Sequence, residues 1–317
     1  MFSNIFCKTT LPVNVVRNGQ RGNIRVNISK LAFVKHFAFA GLGFAPRVQK
    51  WKRLIGSLLL YSPYMSTFCQ GHFVDPFYDP TAKAQFSNLV GKAIADFLSK
   101  QIDGAVLTFS YEWVMRKRGL QVRGSRPDLL ALLKGGVKIA IEAKGYSRGP
   151  GNMRQHKTQA LSGPLPARFA VASVAYNLYS QIKVNNWDPE REDEEGADPE
   201  LWRILSKGYY SGLFTFLESG VWDVVDRKAF KGEGFYVLGL RRGWWERFAE
   251  YFRECLWCWG KCCEWEWPWA WERVFLLLPE RIKEFADEGL PVEIKPFMFE
   301  GEESLYIDND RVGILFA

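Results

Sequence analysis

A predicted β-hairpin limits the fold of this chain more than any other feature of its sequence. Asp128 to Leu133 is an apolar run, Lys134-Gly135-Gly136 can turn the chain, and Val137 to Lys144 alternates in polarity. Two such runs around a glycine-rich turn are typical of paired antiparallel strands. On the second strand Glu142 and Lys144 leave one face, and the apolar residues leave the other.

The segments around the hairpin predict an α/β fold. Asp79-Pro80 can begin a helix whose apolar residues recur at three- and four-residue steps until Gly104. Residues 105–116 alternate in polarity and predict a strand. After the hairpin, residues 152–161 predict a short helix and residues 169–174 a further strand. The predicted order is therefore helix, strand, hairpin, helix, strand, in a central mixed sheet flanked by helices.

Three chemically active residues converge at one end of the predicted hairpin. Asp128 begins the first strand, and Glu142 and Lys144 lie two residues apart on one face of the second. Asp128, Glu142 and the main-chain carbonyl of Ala143 are hard oxygen ligands, which suit Mg²⁺ or Mn²⁺. Lys144 would position or deprotonate an attacking water and stabilise a pentacovalent phosphate. The set is sufficient for metal-assisted hydrolysis of a phosphodiester.

Pro127-Asp128 followed by Glu142-Ala143-Lys144 resembles the motif of the PD-(D/E)xK, or restriction-endonuclease-like, nuclease superfamily. The resemblance covers roughly residues 79–180 and includes the order of the predicted elements. It implies a Mg²⁺-dependent DNA endonuclease of restriction, defence or repair, with Asp128, Glu142 and Lys144 as catalytic residues. The competing interpretation is a solvent-facing Glu142–Lys144 ion pair with Asp128 as a turn residue.

Accessory residues are harder to assign from the sequence. Many superfamily members carry an acidic metal ligand on the first helix, where this chain offers Gln85, Asn88 and Asp96 but no glutamate. Glu112, on the polar face of the strand predicted at residues 105–116, is a candidate substitute. After the motif, Lys157 and Gln159 on the short helix are candidates for contact with a phosphate. For all three candidates an ordinary surface role is the alternative.

His156-x-x-Gln159 also resembles the RecB-like and CRISPR-associated exonucleases, some of which hold an iron-sulfur cluster. Those proteins place one cysteine before the nuclease core and three after it, a pattern matched here by Cys69, Cys255, Cys258 and Cys262. The same cysteines suit Zn²⁺, although Cys262 and Cys263 are adjacent and point in different directions on a helix. The third interpretation is a buried Cys- and Trp-rich helix.

A function of another class also fits the sequence. An inactive form of the nuclease core would serve as a nucleic-acid-binding or assembly protein, although all three residue types of the motif are retained. The expected partner in either case is the phosphate backbone of DNA. A homodimer is a further expectation, since one active site needs a second to cut both strands at once.

Charge is distributed unevenly along the chain. Residues 1–74 contain ten Lys+Arg and no acidic residue, whereas residues 75–317 contain 32 Lys+Arg and 35 Asp+Glu, a net of −3. Residues 1–74 are therefore interpreted as a basic extension outside the folded core. A transit segment, a phosphate-binding arm and a gene start placed upstream of Met65 are its three interpretations, and the last two fit better because no Ser-rich amphipathic helix is present.

The rest of the chain divides at an acidic segment. We expect the nuclease core at residues 75–186, a solvated acidic linker at 187–199, and a Trp- and Cys-rich α+β domain at 200–317. That domain is predicted to contain a helix at 200–219, a strand at 235–240, an aromatic helix at 244–263, and a strand pair at 291–299 and 304–316.

The sequence predicts a cytoplasmic protein with no membrane anchor. Its six cysteines are too few for a disulfide scaffold, and its first residues lack a secretory signal. The longest apolar run, residues 54–61, is far shorter than the roughly 20 residues that a membrane-spanning helix needs.

Overall fold

The computed structural model describes residues 7–41, 58, 60–75, 79–189, 197–243, 246, 273–301 and 304–316. This part of the chain is mixed α/β and contains two β-sheets. Residues 8–188 supply a sheet of seven strands, and residues 222–316 supply a sheet of six. The predicted aromatic helix, Cys255, Cys258 and Cys262, and the acidic residues 190–196 lie outside the described residues.

The seven-stranded sheet holds the predicted hairpin near one end. Its strands, in chain order, are β1 (Lys8–Arg17), β2 (Gln20–Ser29), β3 (Leu107–Ser110), β4 (Leu129–Leu132), β5 (Lys138–Gly145), β6 (Phe169–Tyr176) and β7 (Lys183–Asp188). Their order across the sheet is β2-β1-β7-β6-β5-β4-β3. The pairs β5·β6 and β1·β7 are parallel and the other pairs antiparallel, so the sheet is mixed.

The six-stranded sheet is antiparallel throughout, in the order β11-β12-β13-β10-β9-β8. Its strands are β8 (Trp222–Phe230), β9 (Glu233–Leu240), β10 (Val274–Pro279), β11 (Phe299–Glu300), β12 (Leu305–Ile307) and β13 (Gly313–Phe316). The predicted strand pair at 291–299 and 304–316 is wrong in detail. Residues 291–298 are irregular, and the second segment folds back on itself as the hairpin β12–β13.

Helices pack on both sheets. They are α1 (Lys30–His36), α2 (Pro80–Ile102), α3 (Tyr111–Lys117), α4 (Met153–Leu161), α5 (Pro199–Glu218) and α6 (Ile282–Glu288), with short 3-10 turns at Ser62–Met65, Phe68–Gln70 and Lys134–Gly136 and a π turn at Phe37–Gly41. The predicted start of α2 is confirmed: the Asp79 carboxylate accepts hydrogen bonds from the amides of Thr81 and Ala82, at 3.0 and 3.3 Å. Asn152 caps α4 in the same way.

Residues 8–36 depart from the expected basic extension, because they form part of the main sheet. β1 and β2 make a hairpin across all ten residue pairs, and β1 also pairs with β7. Leu11 and Val13 of β1 and Phe33 of α1 are buried in the main core. A chain that began at Met65 would lack both strands. The signal for this hairpin in the sequence is Asn18-Gly19, which turns the chain with φ angles of 49° and 76°.

The predicted strand at 105–116 is wrong beyond Ser110, where the chain becomes α3. Tyr111, Val114 and Met115 are buried at helical spacing, so the same apolar residues fit a helix equally well. The Tyr111 hydroxyl accepts a hydrogen bond from the Leu165 amide at 2.8 Å and fixes the first turn of α3. Glu112 therefore lies on a helix.

A buried ionic cluster joins the two sheets. Its members are Lys35 and His36 of α1, Asp96 and Lys100 of α2, and Asp308 and Asp310 of the β12–β13 turn, all nearly or fully buried. Lys35 Nζ lies 2.7 Å from Asp308 Oδ2, and Lys100 Nζ lies 2.6 Å from the same oxygen. His36 Nδ1 lies 2.7 Å from Asp96 Oδ2. Each charged group of the cluster thus has an oppositely charged neighbour.

A membrane-spanning segment was also sought. None of the helices in the described ranges is both long enough and apolar enough to cross a bilayer.

Candidate functional site

The candidate site begins where the β4–β5 ladder ends. The Asp128 amide donates to the Ile141 carbonyl at 3.1 Å, and this is the last main-chain bond between the two chain segments at that end. The next amide, that of Ala143, donates instead to Asp128 Oδ2 at 3.2 Å. The carboxylate therefore replaces a strand carbonyl and is held at the open end of the hairpin. In a strand, the amide and carbonyl of one residue point to the same side, so the Ala143 carbonyl also faces Asp128.

The structure brings together the three residues of the motif. Lys144 Nζ lies 3.3 Å from Asp128 Oδ2 and also makes an ion pair with Glu142 Oε1. The Glu142 side chain is 0% exposed, the Asp128 side chain 19% and the Lys144 side chain 24%. The Asp128–Lys144 ion pair is thus partly accessible to water, whereas Glu142 beside it is buried.

Glu142 is electrostatically unfavourable as a carboxylate. Burial, with the Asp128 charge beside it, raises the pKa of Glu142 from 4.5 to about 8. Of its two carboxylate oxygens, Oε1 contacts Lys144 Nζ, and Oε2 has no hydrogen-bond partner among the described residues. Burial acts to lower the pKa of Lys144, but Asp128 and Glu142 outweigh it and raise that pKa above 10.5. The ammonium form of Lys144 is therefore favoured at neutral pH.

Helix α2 approaches the end of β5 so closely that only glycine fits at the contact. A Cβ atom on Gly91 would overlap the main chain of Lys144, and one on Gly145 would overlap the Ser87 carbonyl. This contact brings the next helical residue, Lys92, to the site, where its Nζ lies 3.2 Å from Asp128 Oδ1.

Sequence analysis missed Lys92, because an exposed lysine on a helix normally needs no partner. The helix on which an acidic metal ligand was expected thus presents a cation to Asp128. Asp96, one turn further along α2, belongs to the buried ionic cluster and not to this site. The one sequence signal that could have found Lys92 is Gly91, an unexpected glycine in the middle of a helix.

None of the three accessory candidates enters the site, and two of them support it. Glu112 makes an ion pair with Arg126, and Gln159 Nε2 donates to the Arg126 carbonyl at 3.1 Å. Both contacts hold the segment that leads into Asp128. Lys157 is buried and its Nζ lies 2.6 Å from Asp188 Oδ1, so the expectation that it contacts a phosphate is wrong for this structure.

A tyrosine and a histidine extend the site beyond the motif. Tyr146 follows Lys144 by two residues and therefore leaves the same face of the sheet. Its hydroxyl lies 3.1 Å from His156 Nε2 on α4. Burial raises the pKa of Tyr146, and burial together with the Lys144 charge lowers the pKa of His156. The neutral forms of both side chains are favoured near neutral pH.

Cys69 is not available as a metal or cluster ligand in this structure. It forms a disulfide with Cys7, with the two Cα atoms 5.6 Å apart. The bond fixes the start of β1 to the segment before α2, and it departs from the expectation of unpaired cysteines. Across the described ranges no group of three or more His, Cys, Asp and Glu side chains is arranged to hold a metal ion.

Comparison of the chain with protein-family models, with curated proteins and with solved structures gave no match.

Proposed function

We propose that this protein is a Mg²⁺- or Mn²⁺-dependent DNA endonuclease that hydrolyses phosphodiester bonds. The observation that carries the proposal is the site itself, in which Asp128, Glu142 and Lys144 meet at the open end of a hairpin. A buried glutamate with one carboxylate oxygen that lacks a hydrogen-bond partner among the described residues is costly to a fold, and such groups are concentrated at functional sites.

The arrangement of elements supports a restriction-endonuclease-like core. Helix α2 precedes three antiparallel strands, β3, β4 and β5, and α4 then leads to β6, which is parallel to β5. Asp128 directly precedes the second of these strands, and Glu142 and Lys144 lie on the third. The three added strands β7, β1 and β2 extend this core on the β6 side.

The residues present fit a divalent cation with oxygen ligands. Asp128, Glu142 and the Ala143 carbonyl would hold it, since carboxylate and carbonyl oxygens are the ligands that Mg²⁺ and Mn²⁺ prefer. The cation would offset the repulsion between the two carboxylates, which together with burial raises the pKa of Glu142 to about 8. When bound, such an ion neutralises phosphate charge and lowers the pKa of a bound water.

Lys144 would act on the phosphate as an ammonium group. Its pKa lies above the ordinary value, so it remains charged at neutral pH and can donate to a phosphate oxygen or orient the attacking water. Its position 3.3 Å from Asp128 Oδ2 keeps it beside the first metal ligand. Stabilisation of negative charge in the transition state is therefore its role in the proposed reaction.

Nicking of supercoiled plasmid in Mg²⁺ tests the proposal. We expect Asp128→Ala and Lys144→Ala each to reduce cleavage at least ~100-fold, the usual scale for loss of one charged group that stabilises a transition state. Asp223→Asn is a matched control, because it removes an exposed carboxylate that pairs with Arg241 on the other sheet, away from the site. Cleavage at wild-type rates by the Asp128 and Lys144 variants would contradict the assignment.

One observation favours a second candidate, an inactive nucleic-acid-binding protein. In this structure Lys92 and Lys144 contact the two oxygens of Asp128, one each. A site stabilised in this way would hold a cation weakly. Retention of DNA binding with no cleavage in Mg²⁺ or Mn²⁺ at any pH would select this candidate.

A further inference from the structure

The part of the chain that forms the seven-stranded sheet and the part that forms the six-stranded sheet have opposite net charges. Residues 1–187 contain 26 Lys+Arg and 7 Asp+Glu, a net of +19, and residues 188–317 contain 16 Lys+Arg and 28 Asp+Glu, a net of −12. The seven-stranded sheet therefore belongs to a strongly basic half of the chain. A charge of this size and sign indicates a polyanionic partner.

Two segments without acidic residues lie side by side in that sheet. Residues 1–74 and residues 143–187 contain no Asp or Glu. The first segment supplies β1 and β2, and the second supplies α4, β6 and most of β7. They are neighbours because β1 pairs with β7. Asp188, which ends β7, is held by the buried Lys157. One side of the sheet thus presents almost no exposed negative charge.

The strand register connects the candidate site to the β1–β2 hairpin. Lys144 is opposite Val174, which is opposite Asn185. Asn185 is in turn opposite Asn14, which is opposite Asn23 of β2. Residues in register on adjacent strands leave the same face of a sheet. Asn23 therefore shares a face with Lys144, and four strand spacings of ~4.8 Å place it roughly 19 Å away.

The strand register also places an arginine of β2, Arg21, on the same face as Glu142. Glu142 is opposite Ala172, Ala172 is opposite Trp187, Trp187 is opposite Val16, and Val16 is opposite Arg21.

Arg25 lies two residues beyond Asn23 on β2, so it too leaves this face. Arg21, Asn23 and Arg25 are exposed. Neither arginine has an ion-pair partner among the described residues. By contrast Arg17, on the opposite face of β1, pairs with Asp103 at 2.9 Å.

Helix α4 packs on the sheet between the site and the hairpin, and it has no acidic residue. His156 of α4 contacts Tyr146 on the same face of the sheet as Lys144. Arg154 of α4 and Arg148 of the preceding loop are exposed. Exposed cations therefore occur beside the site, on α4 and on β2.

From this arrangement we infer that Arg21, Asn23 and Arg25 of the β1–β2 hairpin bind the phosphate backbone of duplex DNA beside the cleaved bond. The inference rests on the proposed function. A separation of roughly 19 Å corresponds to about five or six base pairs at 3.4 Å each. Arginine and asparagine side chains donate to phosphate oxygens without reading the bases, so the hairpin would add affinity and not sequence preference.

Binding of the full-length protein to a fluorescein-labelled duplex of about 24 base pairs tests this inference, with Ca²⁺ in place of Mg²⁺ so that binding is measured without cleavage. The variant is Arg21→Gln with Arg25→Gln. We expect the slope of log affinity against log salt to fall by about two units, and affinity near ~0.1 M salt to fall roughly ten- to hundred-fold.

The matched control is Arg227→Gln with Lys228→Gln, which removes two exposed cations from β8, the outer strand of the other sheet. An equal loss of affinity in this control would overturn the inference, because net charge alone would then explain both results. A wild-type salt slope in the hairpin variant would overturn it as well. So would a change in molar mass by light scattering, since β2 would then be an interface between two copies of the chain.

The two proposals fail separately. A hairpin-dependent salt slope in a protein that never cleaves DNA in Mg²⁺ supports the inference and rejects the nuclease. Normal cleavage with a wild-type salt slope in the hairpin variant keeps the nuclease and rejects the inference.

Discussion

Two groups of charged residues lie within this protein, and they differ in how their charges are satisfied. In the buried ionic cluster, Lys35 and Lys100 stand between the carboxylates of Asp308 and Asp310 at 2.6 to 3.2 Å. Burial acts to raise the pKa of Asp308, but Lys100 and Lys35 outweigh it and lower that pKa well below 3.8. In the candidate site, burial and Asp128 instead raise the pKa of Glu142 to about 8.

The opposite shifts in pKa are those expected for a structural cluster and for a site of the proposed function. A lowered pKa means that the fold favours the charged carboxylate, because its cationic partners are already in place. A raised pKa means that the fold tolerates Glu142 although its charge lacks adequate compensation. The second arrangement costs stability and is expected where a cation or a substrate completes the set of charges.

The largest expected effect comes from breaking the buried ionic cluster. Asp308→Asn would leave the ammonium groups of Lys35 and Lys100 buried with one fewer counter-charge. We expect a loss of about 3 kcal/mol or more in the free energy of unfolding at pH 7, measured with urea. Asp223→Asn, which breaks the exposed pair with Arg241, is the control and should change little. Equal effects at both positions would contradict a stabilising role for the cluster.

Whether the sequence could predict each of these two groups depends on how far apart its members lie along the chain. Asp128, Glu142 and Lys144 lie on one hairpin, so strand periodicity alone placed them together. The buried ionic cluster joins Lys35 to Asp308, 273 residues apart. No local sequence pattern predicts such a contact, and a lysine in a short helix is normally expected to be exposed.

Errors in the predicted fold have two origins. Tyr111 fits both a strand and a helix by its spacing, and its contact with Leu165 selects the helix. Residues 1–74 were interpreted as an extension from their lack of acidic residues, although Asn18-Gly19 is a local signal for the β1–β2 hairpin. A tertiary contact decided the first case, whereas the second had a local signal that the charge count obscured.

A smaller effect, with the opposite sign to that of Asp308→Asn, is expected at Glu142. Between pH 4.5 and about 8 the folded protein keeps a proton on Glu142 that the unfolded chain has lost, so its contribution to stability falls as the pH rises through this range. Glu142→Gln imitates the protonated form. In metal-free buffer we expect it to raise the free energy of unfolding by on the order of 2 kcal/mol at pH 8.

The pH dependence supplies the control for that prediction. Below pH 4.5 both the folded and unfolded chains carry protonated Glu142, so the difference between Glu142→Gln and the wild type should vanish. Urea midpoints measured from pH 4 to pH 8 would follow this convergence. A variant that is less stable than the wild type at pH 8 would show that the ion pair with Lys144 outweighs the cost of burial.

The smallest expected effect is at Lys92. It tests whether this lysine competes with a metal cation for Asp128. Lys92 Nζ lies 3.2 Å from Asp128 Oδ1, and its side chain is 32% exposed. Partly exposed pairs of this kind contribute about 0.2 to 1 kcal/mol, and Mg²⁺ must displace the pair to reach Asp128. Lys92→Gln should therefore bind Mg²⁺ about two- to five-fold more tightly by calorimetry, with little change in stability.

Lys83→Gln is the matched control for Lys92, because Lys83 lies on the same helix and pairs with Asp75 instead of with the site. It should leave the affinity for Mg²⁺ unchanged. Weaker Mg²⁺ binding in Lys92→Gln would mean that Lys92 orients the Asp128 carboxylate for the metal and does not compete with it. The two groups of charged residues would then be more alike than their pKa shifts indicate, since a lysine would be a fixed structural partner in both.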